Sequence, residues 1–111
     1  CLFCKIARGE IKADVVHQDD QVVAFRDINP QAPVHVLIVP REHIPTISDL
    51  QEKHQGLVGR IFLTAGKLAE QFGIEQVGYR VVANCREAAG QTVFHIHFHL
   101  LGGRRFGWPP G

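Results

Sequence analysis

The sequence predicts an α+β domain with a five-stranded, mostly antiparallel sheet, one long helix and a short N-terminal helix. Three observations carry this. Between Phe94 and Gly102, histidine and apolar residues alternate, as side chains on a half-buried strand do. From Leu57 to Phe72 the period changes: Leu57, Ile61, Ala65, Leu68 and Phe72 recur at helical spacing. The early strand-like runs are joined by short connections, which suit antiparallel neighbours. A chain of 111 residues has room for one core, so residues 1–111 form one domain.

Taken in order, Cys1 to Arg8 places Leu2, Phe3 and Ile6 at a spacing that suits a short helical turn closed by Gly9. Val15-Val16 and Gln21 to Phe25 read as strands about the polar turn Gln18-Asp19-Asp20. Asp27 to Pro30 is loop, and Pro30 and Pro33 stiffen it. Val34 to Val39 is the most strand-like run, ended by Pro40. Pro45 to Leu50 is a connector in which Ser48 or Asp49 could cap the next element. That element is a helix over Gln51 to Phe72, with Gly73 as its C-cap. Gly56, Gly59 and Gly66 weaken it but permit a close helix–helix contact. Tyr79 to Ala83 is a strand, Asn84 to Gln91 a polar loop, and Val93 to Leu101 the last strand.

Composition narrows the function classes. Hydrophobic content of 45% is that of a globular chain. Twelve basic against 11 acidic residues leave a net charge of +1, so nothing electrostatic favours duplex nucleic acid or a membrane surface as partner. No apolar run approaches a bilayer span, and there is no signal-peptide pattern. The chain opens at Cys1 and contains no methionine, from which a missing natural N-terminus is expected. Cys1, Cys4 and Cys85 do not make a disulfide framework, and a reducing, cytoplasmic setting fits best.

On the last strand, His95, His97 and His99 share one face, while Phe94, Ile96, Phe98 and Leu100 share the other. A lone histidine on such a strand is usually packed or solvated. Three in strict alternation, among only 7 in the chain, point to chemistry instead. Imidazole is the commonest metal-binding side chain, so a metal site is one reading. Nucleophilic or acid–base catalysis is the other.

His95-Ile96-His97-Phe98-His99-Leu100-Leu101 resembles the His-φ-His-φ-His-φ-φ signature of the histidine triad (HIT) family, φ being apolar. The ending Gly102 to Gly111 is similar to the Hint branch, the histidine triad nucleotide-binding proteins. So are Ala24 to Ile28, Pro30 to His35 and Gly90 to Val93. The resemblance covers essentially the whole chain and implies the HIT fold. It also implies a homodimer in which two protomers share one continuous sheet with their long helices packed together.

The resemblance further implies a purine nucleoside phosphoramidate hydrolase of the adenosine 5′-monophosphoramidase type, needing no catalytic metal. His97 matches the family nucleophile, since neutral imidazole attacks phosphorus readily at pH 7. A nucleotidyl–His97 intermediate would form and be released by water. His99 would hydrogen-bond the phosphate or assist the leaving group. His35, in an otherwise apolar strand, reads on residues alone as a core histidine; by resemblance it positions the triad. Asp27 reads as a turn carboxylate, and by resemblance as the acceptor for both ribose hydroxyls. Phe3, Ile6, Phe25 and Ile28 are either ordinary core or an apolar base pocket. Asn84, Gly90 and Thr92 suit a loop, and by resemblance surround the phosphate. Hint-like sequences mostly carry serine where Thr92 stands; the hydroxyl is kept, and β-branching limits its rotamers. Trp108 is implied to reach the partner protomer's catalytic pocket.

Cys1-x-x-Cys4 is half a zinc site or a redox pair, and no βαβ context supports the latter. By resemblance to some HIT proteins, His43 and His95 complete a structural zinc site. His17 and His54 lie among polar residues and are expected to be solvated. The alternatives are dinucleoside polyphosphate hydrolysis or nucleotidyl transfer within the family, a nucleotide-binding module with little turnover, and a zinc-binding regulator. The Trp108-Pro-Pro-Gly tail argues against the first, and an intact His97 against the second.

Overall fold

Runs of consecutive apolar residues form strands when both faces of a sheet are covered, and the computed structural model has this arrangement. The structure describes residues 1–111. Strands β1 (Val15–Gln18), β2 (Val22–Arg26), β3 (Val34–Pro40), β4 (Tyr79–Val82) and β5 (Phe98–Gly102) form one sheet in the order β1-β2-β3-β5-β4. Every pairing is antiparallel. Asp19 shapes the β1–β2 turn by accepting the backbone N–H groups of Gln21 and Val22 at 2.8 and 2.9 Å.

One face of the sheet carries Val22, Ala24, Val36, Ile38, Phe98 and Leu100. The helix Gln55–Gln71 lies on it, contributing Leu57, Ile61, Ala65 and Leu68 to the same core. The opposite face carries Val23, Phe25, Leu37 and Val39. It is met by Phe3 and Ala7 of a six-residue helix, Leu2–Ala7. These helices are called α1 (Leu2–Ala7) and α2 (Gln55–Gln71). His35 and His99 alternate in phase with Leu37 and so fall on the α1 face. Leu37 pairs with His99 and His35 with Leu101, which puts the two histidines on a diagonal between neighbouring strands.

Several features depart from the sequence expectation. The last strand begins at Phe98 rather than Val93. Pro40 has no N–H to extend the ladder, and its carbonyl accepts from the His95 ring instead of a strand partner. The chain therefore bends over Val93–His95, and Phe94 is about half exposed instead of joining Ile96, Phe98 and Leu100 in the core. The helix begins at Gln55, four residues late, behind 3-10 turns at Ile47–Asp49 and Glu52–His54. Asp49 caps the first of these turns through Thr46, not the helix. His54 is buried rather than solvated: its Nδ1 accepts the Gln51 N–H at 3.0 Å, and its Nε2–H donates to Glu42. His17 is half-buried against Asp19 at 2.9 Å. Gly73 ends the helix as expected, with φ of +73°. No helix is long and apolar enough to cross a membrane.

Candidate active site

The three triad histidines lie together on the α1 side of the sheet. Phe3 of α1 meets two of them edge-on, with ring centroids 6.0 Å from His95 and 5.0 Å from His97. The His97 and His99 rings lie 5.1 Å apart.

Hydrogen bonds assign each proton. A carbonyl oxygen can only accept, so His97 Nδ1 carries a hydrogen and donates it to the His95 carbonyl at 2.9 Å. Neutral His97 therefore has its lone pair on Nε2. The backbone N–H of Gln31 donates to His35 Nδ1 at 3.0 Å, so neutral His35 holds its hydrogen on Nε2. That N–H faces His99 Nδ1 at 2.9 Å and Asp27 Oδ2 at 3.4 Å. With Nδ1 accepting, neutral His99 keeps a hydrogen on Nε2. One side chain thus presents a lone pair and its neighbour an N–H, the two functions that attack on an anionic phosphorus centre requires.

Burial pushes the His99 imidazole down to about 4, helped by the nearby His97 and His35 rings and opposed by Asp27. Burial lowers His35 too, against the pull of Asp27. Both are neutral at pH 7, as the tautomer chain requires. The unfolded chain, with an ordinary histidine near 6.5, holds more protons than the folded one between about 4 and 6.5. Stability should therefore fall as pH drops through that window, by about 3 kcal/mol for His99 alone. Chemical denaturation at a series of pH values should show the loss, and His99→Ala should reduce it.

A pocket of about 690 Å³ opens beside these groups. Phe3, Ile6, Phe25, Asp27, Ile28, Thr92, His97 and His99 all line it, so the structure brings these sequence-derived candidates together. Phe3 and Phe25 are buried and stack edge-to-face at 5.5 Å, while Ile28 is fully exposed at the rim. Asp27 Oδ1 accepts the Asn29 N–H at 2.8 Å, which fixes the carboxylate's orientation. Leu2, Ile11 and Val93 add apolar wall that the sequence did not single out. Asn84, Gly90 and Trp108 do not line this pocket; Gly90 ends a 3-10 turn with φ of +89°, and Trp108 is exposed.

Two further residues went unnoticed in the sequence. Gln31 sets the His35 tautomer through its backbone, which no side-chain pattern reveals. Gln91 is buried and ties the loop before the triad to the body of the protein. It accepts the Arg86 N–H at 2.7 Å and donates to the Pro45 and Val93 carbonyls at 2.7 and 3.0 Å. The nearest signal was its position between Gly90 and Thr92.

A second cluster adjoins the first. Cys1, Cys4, His43 and His95 bring their ligand atoms within 4.8 Å of one another. His95 Nε2–H donates to the Pro40 carbonyl at 2.7 Å, so Nδ1 turns its lone pair to the cluster. Burial lowers the His95 proton affinity further, against that hydrogen bond. The two Nδ1 atoms lie 3.2 Å apart, Cys4 Sγ lies 3.4 Å from His43 Nδ1 and 3.5 Å from His95 Nδ1, and Cys1 Sγ lies 3.4 Å from His95 Nδ1. Tetrahedral zinc with two sulfur and two nitrogen ligands has edges of about 3.4 Å between nitrogens and about 3.6 Å between sulfur and nitrogen. The donor set and its spacing fit that ion. Asp27, His35 and His99 also converge. There, however, His35 Nε2 holds a proton, so that group fits a proton relay rather than a metal.

A family model described as the HIT domain matches residues 8–106. The chain is 53% identical over 106 residues to the purine nucleoside phosphoramidase of Escherichia coli (strain K12), covering 96% of this chain and 89% of that one. The crystal structure of a HIT family hydrolase from Legionella pneumophila Philadelphia 1 superposes with a TM-score of 0.99 at 54% identity, over 100% of this chain and 99% of that one. A histidine triad nucleotide-binding protein from Candida albicans superposes with a TM-score of 0.84 at 31% identity, over 100% and 84% of the two chains.

Proposed function

The chain belongs to the HIT domain family, and from that premise we propose that it hydrolyses purine nucleoside phosphoramidates through a nucleotidyl–His97 intermediate. The observation that carries the reading is the His97 Nδ1–H bond to the His95 carbonyl, which leaves Nε2 as the nucleophilic atom. Nε2 bonds phosphorus as the P–N bond of the substrate breaks. The nitrogen departs with the bonding electrons and takes up a proton from solvent to leave as an amine, while the neutral His99 keeps its Nε2–H and directs it as a hydrogen bond at the phosphoryl oxygen. His35 holds His99 from behind. Water then attacks phosphorus, and His97 departs with its lone pair restored.

Phe3, Ile6, Phe25 and Ile28 supply the apolar walls for a purine, Asp27 the acceptors for the ribose hydroxyls, and Thr92 a hydroxyl for the phosphate. Purified protein should release ammonia and AMP from adenosine 5′-monophosphoramidate without added metal; absence of turnover would sink the reading. Asp27→Ala should weaken AMP binding by about 1.5–3 kcal/mol, the range for a hydrogen bond to a charged group. A 2′,3′-dideoxy analogue should lose much less, and equal losses would remove Asp27 from the ribose site.

The cysteine–histidine cluster supports a structural zinc held by Cys1, Cys4, His43 and His95, with the chemistry left to the triad. The free cysteines favour a reducing, cytoplasmic setting. A homodimer is favoured by what α2 and β4 leave uncovered. Phe62, Leu63 and Tyr79 are exposed, nothing in the chain approaches Gly56 or Gly59, and β4 is an edge strand. Pairing two such surfaces would continue the sheet and let exposed Trp108 reach the partner's leaving-group side. Leu63→Asp should shift sedimentation from dimer toward monomer; wild-type protein sedimenting as a monomer at assay concentrations would remove both the dimer and the reach of Trp108.

A further inference from the structure

The cluster and the nucleotide pocket share an element that has little else to hold it. Helix α1 has six residues, far below the length at which an isolated helix is stable. Its position must come from tertiary tethers. At its C-terminal end Arg41 Nη1–H donates to the Ala7 carbonyl at 2.6 Å. In the middle Phe3 and Ala7 are buried. At its N-terminal end the tethers are the thiols of Cys1 and Cys4, set against His43 and His95. The same short helix supplies Leu2, Phe3 and Ile6 to the wall of the pocket. Phe3 sits in sequence between the two thiols and lies edge-on to both His95 and His97. His95 itself belongs to both sites: its ring faces the thiols, and its carbonyl sets the His97 tautomer.

We propose that zinc binding at Cys1, Cys4, His43 and His95 is energetically coupled to nucleotide binding through α1, so that each ligand tightens the other. The proposal rests on the zinc reading above. A ligand shifts an equilibrium only by its differential affinity for the two states. The states here are α1 docked and α1 loosened at its N-terminal end. The full ligand set for zinc and the complete purine wall are present together only in the docked state. A metal that merely stabilised the fold would leave nucleotide affinity unchanged in folded protein.

Reciprocity gives the test a form that activity alone cannot. The dissociation constant of AMP is measured by calorimetry on zinc-loaded and on chelator-stripped protein, with folding checked by circular dichroism. Zinc affinity is measured by chelator competition with and without saturating AMP. Stripping should weaken AMP at least about fivefold, and AMP should tighten zinc by the same factor. Phe3→Leu should still take up zinc but bring the factor close to one. Should the stripped chain unfold, the factor is read in Cys1→Ser, which retains three ligands, across a zinc titration. Zinc uptake of one ion per chain with unchanged AMP affinity overturns the coupling and leaves the zinc reading standing. Failure to take up zinc overturns both. Phe3→Leu protein that keeps the whole factor overturns the route through α1.

Discussion

His97→Ala should lower phosphoramidate turnover by at least about three orders of magnitude, because no other group in the pocket offers a lone pair in the same place. AMP affinity should stay close to wild type, since the apolar wall and Asp27 lie on other elements. The fold should survive, because His97 belongs to neither apolar core and its one hydrogen bond is to a carbonyl of its own segment. A single-turnover assay reads the loss, and mass spectrometry after an alkaline quench, in which the P–N bond survives, reads the nucleotidyl adduct, which should form on the wild-type chain and be absent from the variant. Turnover near the wild-type rate would mean that water attacks phosphorus directly and would end the covalent mechanism.

Gly103→Ala should destabilise the protein by about 2–4 kcal/mol, through backbone strain and overpacking together. Gly103 has φ of +90°, and a Cβ there would lie 2.9 Å from Pro33 Cβ and 3.2 Å from its Cγ. A proline ring cannot swing aside as a flexible side chain would. The melting temperature should drop by roughly 10 °C or more. The effect should also reach the site. Pro33 closes the loop whose Gln31 N–H sets the His35 tautomer, and Arg104 Nε–H holds the Gln31 carbonyl at 2.9 Å. Displacing that loop should lower kcat in the protein that remains folded. An alanine variant with an unchanged melting curve would show that the loop yields easily and that the clash has no consequence.

Several elements were legible because their signals are periodic. The run Val34 to Val39 alternates between two buried faces and is β3 almost to the residue. Leu57, Ile61, Ala65 and Leu68 recur at helical spacing and lie on the sheet. Gly73 stops the helix where only a positive φ will do. The triad histidines share the α1 side, as strict alternation predicts, although only His99 lies within β5. The burial of His54 is not legible, because polar neighbours in sequence say nothing of what folds over a residue; it caps a turn and is buried. The exposure of Phe94 is not legible either, because alternation carries no sign of the bend that goes with the His95 ring's bond to Pro40 on a neighbouring strand.

By itself, the sequence determined the element types, the antiparallel sheet, the side of the chain on which the histidines lie, and the residue types available for phosphorus chemistry. These follow from side-chain spacing and backbone preference, which are local properties. Only the tertiary structure decided which imidazole nitrogen is nucleophilic. That depends on a carbonyl two residues away for His97, on the Gln31 N–H for His35, and through His35 on His99. Only the tertiary structure, likewise, brought Cys1 and Cys4 to His43 and His95, 39 and 91 residues beyond Cys4. Proton placement and ligand convergence are set by what faces an atom across space, and spacing along the chain does not encode that.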